Sequence, residues 1–305
     1  MIVIIPKTLS LTTTNVPASS YAEWLATTAY ATGDNVVVTL TATGAPTTPH
    51  YEYEALTTGV NLYPPDNTSN WLELGQTNQY RMLDDYVSSQ SVVASGTLDC
   101  SLQLSATGSV DRLAFFNVEA ASVVITVTAT GQPTYTTTVY LQSDVLDWAE
   151  YFFADVDYTQ EHVQAIPPYL NPTIALSFSP LPTAGGAEVG HVIVGNARNL
   201  GEAQWGFKTN IVDYSTRETD AFGRTVFTER AYAKYMSGNA LVDTSQSGTV
   251  ARLLTSLRAT PAAWDANENS SGYEPLIIFG WVSDWSINLN AYTQSALSIE
   301  ITGLT

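Results

Sequence analysis

Short runs of β-branched residues, each bounded by Gly, Pro or Asn, recur along this chain and decide most of what it can fold into. Such runs predict strands, because branched side chains fit a pleated and half-buried surface. The predicted strands lie at 36–40, 122–128, 134–141, 174–178, 191–194 and 298–302. The sequence therefore predicts a mainly β protein.

One stretch has a convincing helical period. In 249–258 the side chains of Val250, Leu253, Leu254 and Leu257 fall on one face, and Pro261 closes the helix. A second, ambiguous helix is predicted at 146–153. We expect few short helices in a fold that consists of a small β module and two β-sandwich-like domains.

Composition shifts along the chain predict four segments. Residues 1–19 form an extended arm or edge strand, because the apolar start lacks the basic region of a signal peptide and ends at Pro6 and Lys7. Residues 20–77 form a small β domain rich in Trp and Tyr. Residues 78–182 alternate strand and turn as a β-sandwich does, up to a Pro-rich tract at 166–182. Residues 183–305 form a second β-rich domain that carries the short helix.

The charge of the chain excludes one class of partner. The net charge is −18, with 11 basic residues against 29 acidic ones. Nucleic acid is excluded as a partner because phosphate binding needs clustered Lys and Arg. The run from Asp144 to Glu161 holds six carboxylates and no cation. It is either a solvated face or a contact for a basic region of a neighbouring subunit.

The sequence contains no pattern of a catalytic or cofactor site. We find no nucleophile elbow, phosphate loop, dinucleotide fingerprint or zinc-protease motif, and no metal-ligand spacing among His50, His162, His191 and the lone Cys100. No apolar run approaches the roughly 20 residues that span a bilayer. We expect no enzyme activity, catalytic residue, metal, cofactor or membrane insertion.

Acidic residues close in sequence still have to be weighed as catalytic pairs. A glycosidase needs two carboxylates across a cleft, but in an acidic β protein such pairs are mostly solvated. The pairs are Asp84 with Asp85, Glu52 with Glu54, and Asp144 with Asp147. The set Asp213, Arg217 and Asp220 is interpreted as a structural ion-pair loop.

The aromatic residues of 20–77 are the best candidates for a binding site. Six of them fall within 48 residues: Trp24, Tyr30, Tyr51, Tyr53, Tyr63 and Trp71. Aromatic faces stack on sugar rings, and they also bury large areas in a core. A module this small needs two or three of them as core, and the remainder would be exposed. The alternative is that all of them belong to a core or an interface.

The order of these residues resembles the small chitin-binding type of carbohydrate-binding module. The matching positions are Trp24, Tyr30, Gly33, Asp34, Val36, Tyr51 or Tyr53, Ala55, Gly59, Pro64, Pro65 and Trp71. The connection at 41–49 is longer than that family usually has. The resemblance implies glycan contact, with Trp24, Tyr30, Tyr53 and Trp71 as the candidate glycan-binding residues.

Residues 78–305 resemble a tailed-bacteriophage virion protein of the tail-tip or baseplate class. The segments that carry this resemblance are 78–90, 111–127, 166–172, 211–234, 253–264, 276–290 and the end at 297–305. It implies a non-enzymatic, β-rich subunit of a homo-oligomer in the phage tail, made in the host cytoplasm. Its partners would be other tail or baseplate proteins and host surface polysaccharide. Few Lys and many Tyr suit such protein contacts.

Three alternatives to a structural tail subunit stay open. The first is a dedicated receptor-binding tail protein, in which glycan binding is the purpose. The second is a carbohydrate-active enzyme that uses a carboxylate pair. The third is a head or neck protein. Trp281 and Trp285 are four residues apart in a strand-like stretch, so we expect them on one face, as part of a sandwich core.

Overall fold

The computed structural model describes residues 1–142, 157–219, 222–266, 276–289 and 292–304. Strands dominate this part of the chain, and the prediction of a mainly β, sandwich-like class is confirmed. All six strands predicted from β-branched runs are present. The predicted helix at 146–153, most of the acidic run Asp144–Glu161, the pair Asp144 and Asp147, and Asp220 lie outside the described residues.

The largest sheet has eleven strands. Its strands are β1 Ile2–Pro6, β9 Ser91–Val92, β11 Arg112–Glu119, β14 His162–Ala165, β16 Glu188–Asn199, β17 Glu202–Ala203, β18 Lys208–Asp213, β21 Tyr232–Asp243, β22 Ala262–Asp265, β23 Ile277–Asn288 and β24 Gln294–Gly303. Their order along the main path is β14-β11-β16-β1-β22-β23-β24-β21-β17, with β9 added beside β16 and β18 added beside β21. Every pairing in this sheet is antiparallel.

Strand β1 occupies an interior place in this sheet. Val3 pairs with Arg198 of β16 on one side and with Trp264 of β22 on the other. The prediction of an edge strand is therefore wrong for residues 2–6, whereas Leu9–Thr14 forms the last strand of the smaller sheet described next. An apolar run such as Ile2–Pro6 with buried side chains on both faces is typical of a strand covered on both sides.

A five-stranded sheet packs against one half of the large sheet. Its order is β13-β12-β15-β10-β2, from β2 Leu9–Thr14, β10 Leu98–Leu104, β12 Ser122–Thr128, β13 Tyr135–Tyr140 and β15 Thr173–Ser179. Alternate residues of β12 and β15 are buried, as expected for strands with one face on a core. Phe115 of β11 meets Phe178 of β15 edge to face, at 5.4 Å between ring centroids, in the middle of this sandwich.

A single described α-helix, α1 Ser247–Ser256, covers the other half of the large sheet. Val250 and Leu254 are buried, and they join a core that contains Trp264, Met236 and Leu297. The predicted helical face is thus confirmed, with bounds two residues earlier. The large sheet takes strands from both sides of residue 182, and the residue bounds of the domains stay a prediction.

Residues 20–77, here called the N-terminal module, form their own small sheet. Its strands are β3 Ala22–Glu23, β5 Asn35–Leu40, β6 Pro46–Ala55 and β8 Trp71–Gln76, in the order β3-β5-β6-β8. A short ribbon of β4 Ala29–Tyr30 and β7 Gly59–Val60 lies beside it. A separate hairpin, β19 Thr216–Thr219 and β20 Thr225–Thr228, completes the set of strands.

A β-bulge in β23 changes where its two tryptophans lie. Trp281 is opposite Thr302, Trp285 is opposite Ile299, and the register shifts between Val282 and Asp284. The extra residue reverses the alternation of side chains. Trp285 packs on the core under α1, whereas Trp281 lies on the opposite face and is 36% exposed. The prediction that they share a face is wrong.

Candidate functional site

The N-terminal module is organised by the turn at Gly33 and Asp34. Gly33 has a φ of 91°, a conformation that residues with a Cβ rarely adopt. Its N–H donates to the carbonyl of Ala55 (2.8 Å), and the Asp34 carboxylate accepts from the Ala31 N–H (2.7 Å). The turn therefore ties the chain segment that carries Trp24 and Tyr30 to the end of β6.

Tyr53 and Trp71, two of the four predicted glycan-binding residues, are core residues. They are 5% and 4% exposed and pack with Val36, Val38 and Ala55. Their polar atoms are satisfied internally: Tyr53 Oη donates to Glu73 Oε2 (3.2 Å), and Trp71 Nε1 donates to the Leu62 carbonyl (2.9 Å). Neither ring can offer a face to a sugar, which corrects their assignment to the site.

Trp24 and Tyr30 lie half-buried at the rim of the same core. The Trp24 ring meets Tyr63 edge to face at 5.3 Å, and the Tyr30 ring meets Trp71 in the same way at 5.2 Å. Tyr30 Oη accepts a hydrogen bond from the Leu25 N–H (2.8 Å). The indole Nε1 of Trp24 is buried and has no hydrogen-bond partner among the described residues.

The exposed apolar surface of the module is mainly aliphatic. Throughout 20–77, all of which the structure describes, Tyr21 is the one aromatic side chain exposed by more than a third. The other exposed apolar side chains are Leu25, Leu40, Leu56, Val60, Leu72 and Leu74. The module thus has no flat platform of several exposed rings, and the alternative interpretation, that its aromatics form a core, accounts for most of them.

Glu52 and Asp84, one carboxylate from each of the two described pairs, make structural contacts. Glu52 is buried, accepts from Ser19 Oγ (2.6 Å) and faces Arg81 (3.5 Å). Asp84 is buried and accepts from Ser89 Oγ (2.7 Å), and burial raises the pKa of its carboxyl to about 6.

Side chains at the end of the module fix it to the rest of the protein. Asn78 accepts from the Val92 N–H (2.8 Å) and donates to the carbonyl of the same residue (2.8 Å). Gln79 donates to the Val16 carbonyl (3.0 Å), and Met82 is fully buried in the sandwich core. These contacts hold the segment after the module, residues 78–82, against the rest of the protein, and this segment is called the junction below.

Metal sites and membrane-spanning helices are both absent from the described part of the chain. No group of three or more His, Cys, Asp or Glu is placed to hold a metal ion there. No helix in the described ranges has the length and apolarity that crossing a membrane requires. Cys100 is a buried free thiol, and burial raises its pKa to about 12.

Residues 208–232, here called the hairpin extension, carry a group of strongly exposed apolar side chains at their described positions. They comprise β18, the β19–β20 hairpin and the approach to β21. Ile211 is 58%, Val226 57% and Phe227 70% exposed, and Tyr214 is also exposed. Every residue of β18 and β20 is exposed.

This surface was not predicted from the sequence, where Asp213, Arg217 and Asp220 are interpreted as an ion-pair loop. Asp213 accepts from the N–H of Ser215 (2.8 Å), and Arg217 lies over the Phe227 ring, 5.9 Å from its centroid. The signal that could have found it is a pair of short runs bounded by Thr, 216–219 and 225–228, on either side of Gly223, the second with adjacent Val226 and Phe227. That pattern predicts a two-stranded hairpin with apolar side chains on both faces.

Comparisons with known proteins add little to this geometry. No family model matches the chain, and no curated protein matches it. Among solved structures it is similar to a selenomethionine-labelled mutant of chitosan-binding module 1 from a chitosanase/glucanase of Paenibacillus sp. IK-5, with 18% sequence identity and a TM-score of 0.27. The match covers 38% of this chain and 82% of that chain, which is a longer stretch than residues 20–77. The similarity is to a carbohydrate-binding module, but a TM-score this low carries no conclusion about fold or ligand.

Proposed function

We propose that this chain is a structural subunit that assembles with further copies and with other proteins through its hairpin extension. The observation that carries the proposal is the exposure of Ile211, Val226 and Phe227. Ile211 lies in β18, which pairs with β21, and Val226 and Phe227 lie in β20, which pairs with β19. An isolated two-stranded hairpin is marginally stable in water, because neither of its faces is covered. Contiguous exposed apolar surface of this kind marks a protein contact.

Charge also favours the hairpin extension as the contact. Residues 208–232 hold four of the 11 basic residues and four of the 29 acidic ones, so the extension is neutral while the rest of the chain carries the whole charge of −18. Two acidic bodies repel each other, whereas a neutral, Arg-bearing surface meets an acidic neighbour without that penalty. A contact from the extension of one copy to the body of the next is heterologous and generates a ring when its rotation closes.

The setting we propose is the tail tip or baseplate of a tailed bacteriophage, with the virion as the location and other tail proteins as partners. The segments of 78–305 that resemble such virion proteins support this setting. A dedicated receptor-binding role differs from it only in the purpose of the N-terminal module. We propose no enzymatic activity: Glu52 and Asp84 are each engaged by hydrogen bonds that a structural role explains.

A second proposed function is contact with host surface glycan through the N-terminal module. Trp24 favours it, because its ring is at the rim and its Nε1 has no partner among the described residues. Affinity per module would be low, and many copies on one particle would raise the avidity. The full-length chain is expected to bind at least one glycan on an array, and loss of that signal in Trp24→Ala would assign the contact to the rim of the module.

Assembly is tested by sedimentation velocity of the full-length chain over a range of concentrations. We expect concentration-dependent oligomers for the native sequence and a shift towards monomer for Phe227→Ser, whose side chain is exposed and whose loss leaves folding intact. Tyr140→Ser is the matched control, because Tyr140 is 77% exposed on the edge strand β13. It should assemble like the native sequence.

Two results would contradict the assembly proposal. One is a native chain that stays monomeric at every concentration, alone and with the other proteins of the particle. The other is an equal loss of assembly in Tyr140→Ser and Phe227→Ser, which would place the contact outside the hairpin extension.

A further inference from the structure

A cleft of about 570 Å³ separates the N-terminal module from the large sheet. The module and the junction contribute Pro49, Gln76 and Tyr80 to its lining, and the rest of the protein contributes Lys7, His191 and Phe279. This volume lies within the usual range of small-molecule sites, roughly 300–1,000 Å³. The junction contacts of Asn78 and Gln79 hold the two walls in a fixed relation.

Unsatisfied polar atoms are concentrated around this cleft. Seven buried side-chain atoms have no hydrogen-bond partner among the described residues. Two of them line the cleft, Gln76 and His191, and three more belong to residues next in sequence to lining residues: Thr47, His50 and Thr77. Native proteins keep few such atoms, and each one calls for an explanation such as a ligand.

Gln76 and His191 supply the unpaired atoms on the two opposite walls. Gln76 Oε1 has no partner in the described part of the chain, and the side chain otherwise hydrogen-bonds Tyr51. His191 is 5% exposed, its ring lies 4.5 Å from that of Phe279, and its Nδ1 likewise has no partner among the residues described. Burial lowers the pKa of His191 to about 4, so its ring is neutral at pH 7 and offers one donor and one acceptor.

The remaining lining is amphipathic and carries little net charge. Lys7 and Asp85 have opposite signs, and Pro49, Tyr80 and Phe279 provide apolar faces. Tyr80 is held edge to face against His50, at 4.9 Å between the ring centroids. A ligand that fits must be neutral, with apolar faces and several hydroxyl groups around its edge. A sugar ring has this distribution, with C–H faces for rings and prolines and hydroxyls for both walls.

We infer that this cleft binds a short neutral saccharide, held between Gln76 and His191 with a ring face on Tyr80. The inference deepens the proposed glycan contact, on which it rests, and moves the site from the Trp24 rim to the cleft. An extended peptide is the less favoured occupant, because the unpaired atoms belong to side chains on opposite walls and not to a free strand edge.

The test uses the full-length chain and ligand-observed NMR, which detects weak binding. The probes are N-acetylated chitotriose, cellotriose and maltotriose. All three are neutral, so none of them is attracted to an acidic protein by charge alone. An extended neutral hexapeptide is titrated in parallel. We expect millimolar binding of at least one saccharide, with a Kd about tenfold higher in Gln76→Leu.

Gln76→Leu removes the unpaired acceptor and also the hydrogen bond to Tyr51, so denaturant unfolding is measured beside the titrations to establish that the variant is folded. Lys7→Ser, on an exposed residue of the cleft, is a second variant that should also weaken binding. Tyr86→Ala is the matched control, since Tyr86 is exposed near the junction but outside the cleft lining, and its Kd should change less than twofold.

Each contrary outcome has a distinct meaning. Binding lost in Trp24→Ala and kept in Gln76→Leu keeps the proposed glycan contact and overturns the cleft as its site. Binding of the hexapeptide but of no saccharide overturns the ligand class. If the native chain binds none of the probes at tens of millimolar, the inference is rejected, and a glycan array that is also silent rejects the proposed glycan contact.

Discussion

The N-terminal module and the hairpin extension are both rich in aromatic residues, but they use them in opposite ways. In the module, Tyr53 and Trp71 are buried and their polar atoms are paired within the module. In the extension, Phe227 is exposed on β20, and Tyr214 is exposed between β18 and β19. Aromatic density therefore indicates a core where other strands cover the rings, and an exposed surface where they do not.

The difference follows from how many strands each region has. The module pairs four strands and folds a ribbon against them, so its rings close over Val36 and Val38. The β19–β20 hairpin pairs four residues with four, and Arg217 covers part of one ring. Two strands cannot bury both of their faces, so the hairpin leaves exposed apolar side chains that the proposed partner would cover.

Truncation of a module ring should give the largest effect. Trp71→Ala removes a fully packed indole, and the cavity is expected to cost about 3–5 kcal/mol in the free energy of unfolding of the module. Hydrogen exchange of the amides in 20–77 measures this loss region by region. The contrast is Phe227→Ala in the extension, expected to change stability by less than about 0.5 kcal/mol. Comparable losses in the two variants would end the distinction between the regions.

Alkaline pH should distinguish the two regions by a different property. Burial raises the pKa of the Tyr53 hydroxyl above its usual 10.0, and Glu73 adds to the shift. The folded state favours the protonated hydroxyl, so this contribution to stability is complete below pH 10 and is lost as the pH rises above it. At about pH 12 the loss reaches roughly 2–3 kcal/mol.

Denaturant titrations at a series of pH values measure this loss. Tyr53→Phe should flatten the fall in stability above pH 10, whereas Tyr214→Phe in the extension should leave its slope as in the native chain. An unchanged slope in Tyr53→Phe would show that the hydroxyl is not the group responsible.

A single hydroxyl at the rim of the module should give the smallest measurable effect. Tyr63 Oη donates to the Leu40 carbonyl (2.9 Å) while its ring packs against Trp24. Tyr63→Phe keeps the ring contact and removes the hydrogen bond, with an expected loss of about 1 kcal/mol. Equilibrium denaturation measures it, and a value near zero would mean that solvent already satisfies this carbonyl.

The sequence was informative where local pattern decides the structure. The β-branched run at 122–128 becomes β12 with the same bounds, and the stripe of Val250 and Leu254 becomes the buried face of α1. The Gly33–Asp34 turn is in place because a positive φ needs glycine there. These features depend on neighbours within a few residues, which a sequence displays directly.

Features that depend on distant partners could not be predicted. No local signal tells that Val3 has neighbours at Arg198 and Trp264, or that a bulge after Val282 sends Trp281 and Trp285 to opposite faces. The burial of Tyr53 and Trp71 depends on how the strands of the module close over each other. The cleft is assembled from Gln76 and His191, which are more than a hundred residues apart in the sequence.

The interior position of β1 sets an order of events for the folding chain. Residues 2–6 are synthesised long before their two neighbours in the sheet, 188–199 and 262–265. Until then, Ile2, Val3 and Ile4 have no sheet to join and must be kept from pairing with other chains. Proteins dominated by such distant pairings fold slowly. The large sheet should therefore close late and as one event, while the N-terminal module, whose contacts are local, can fold during synthesis.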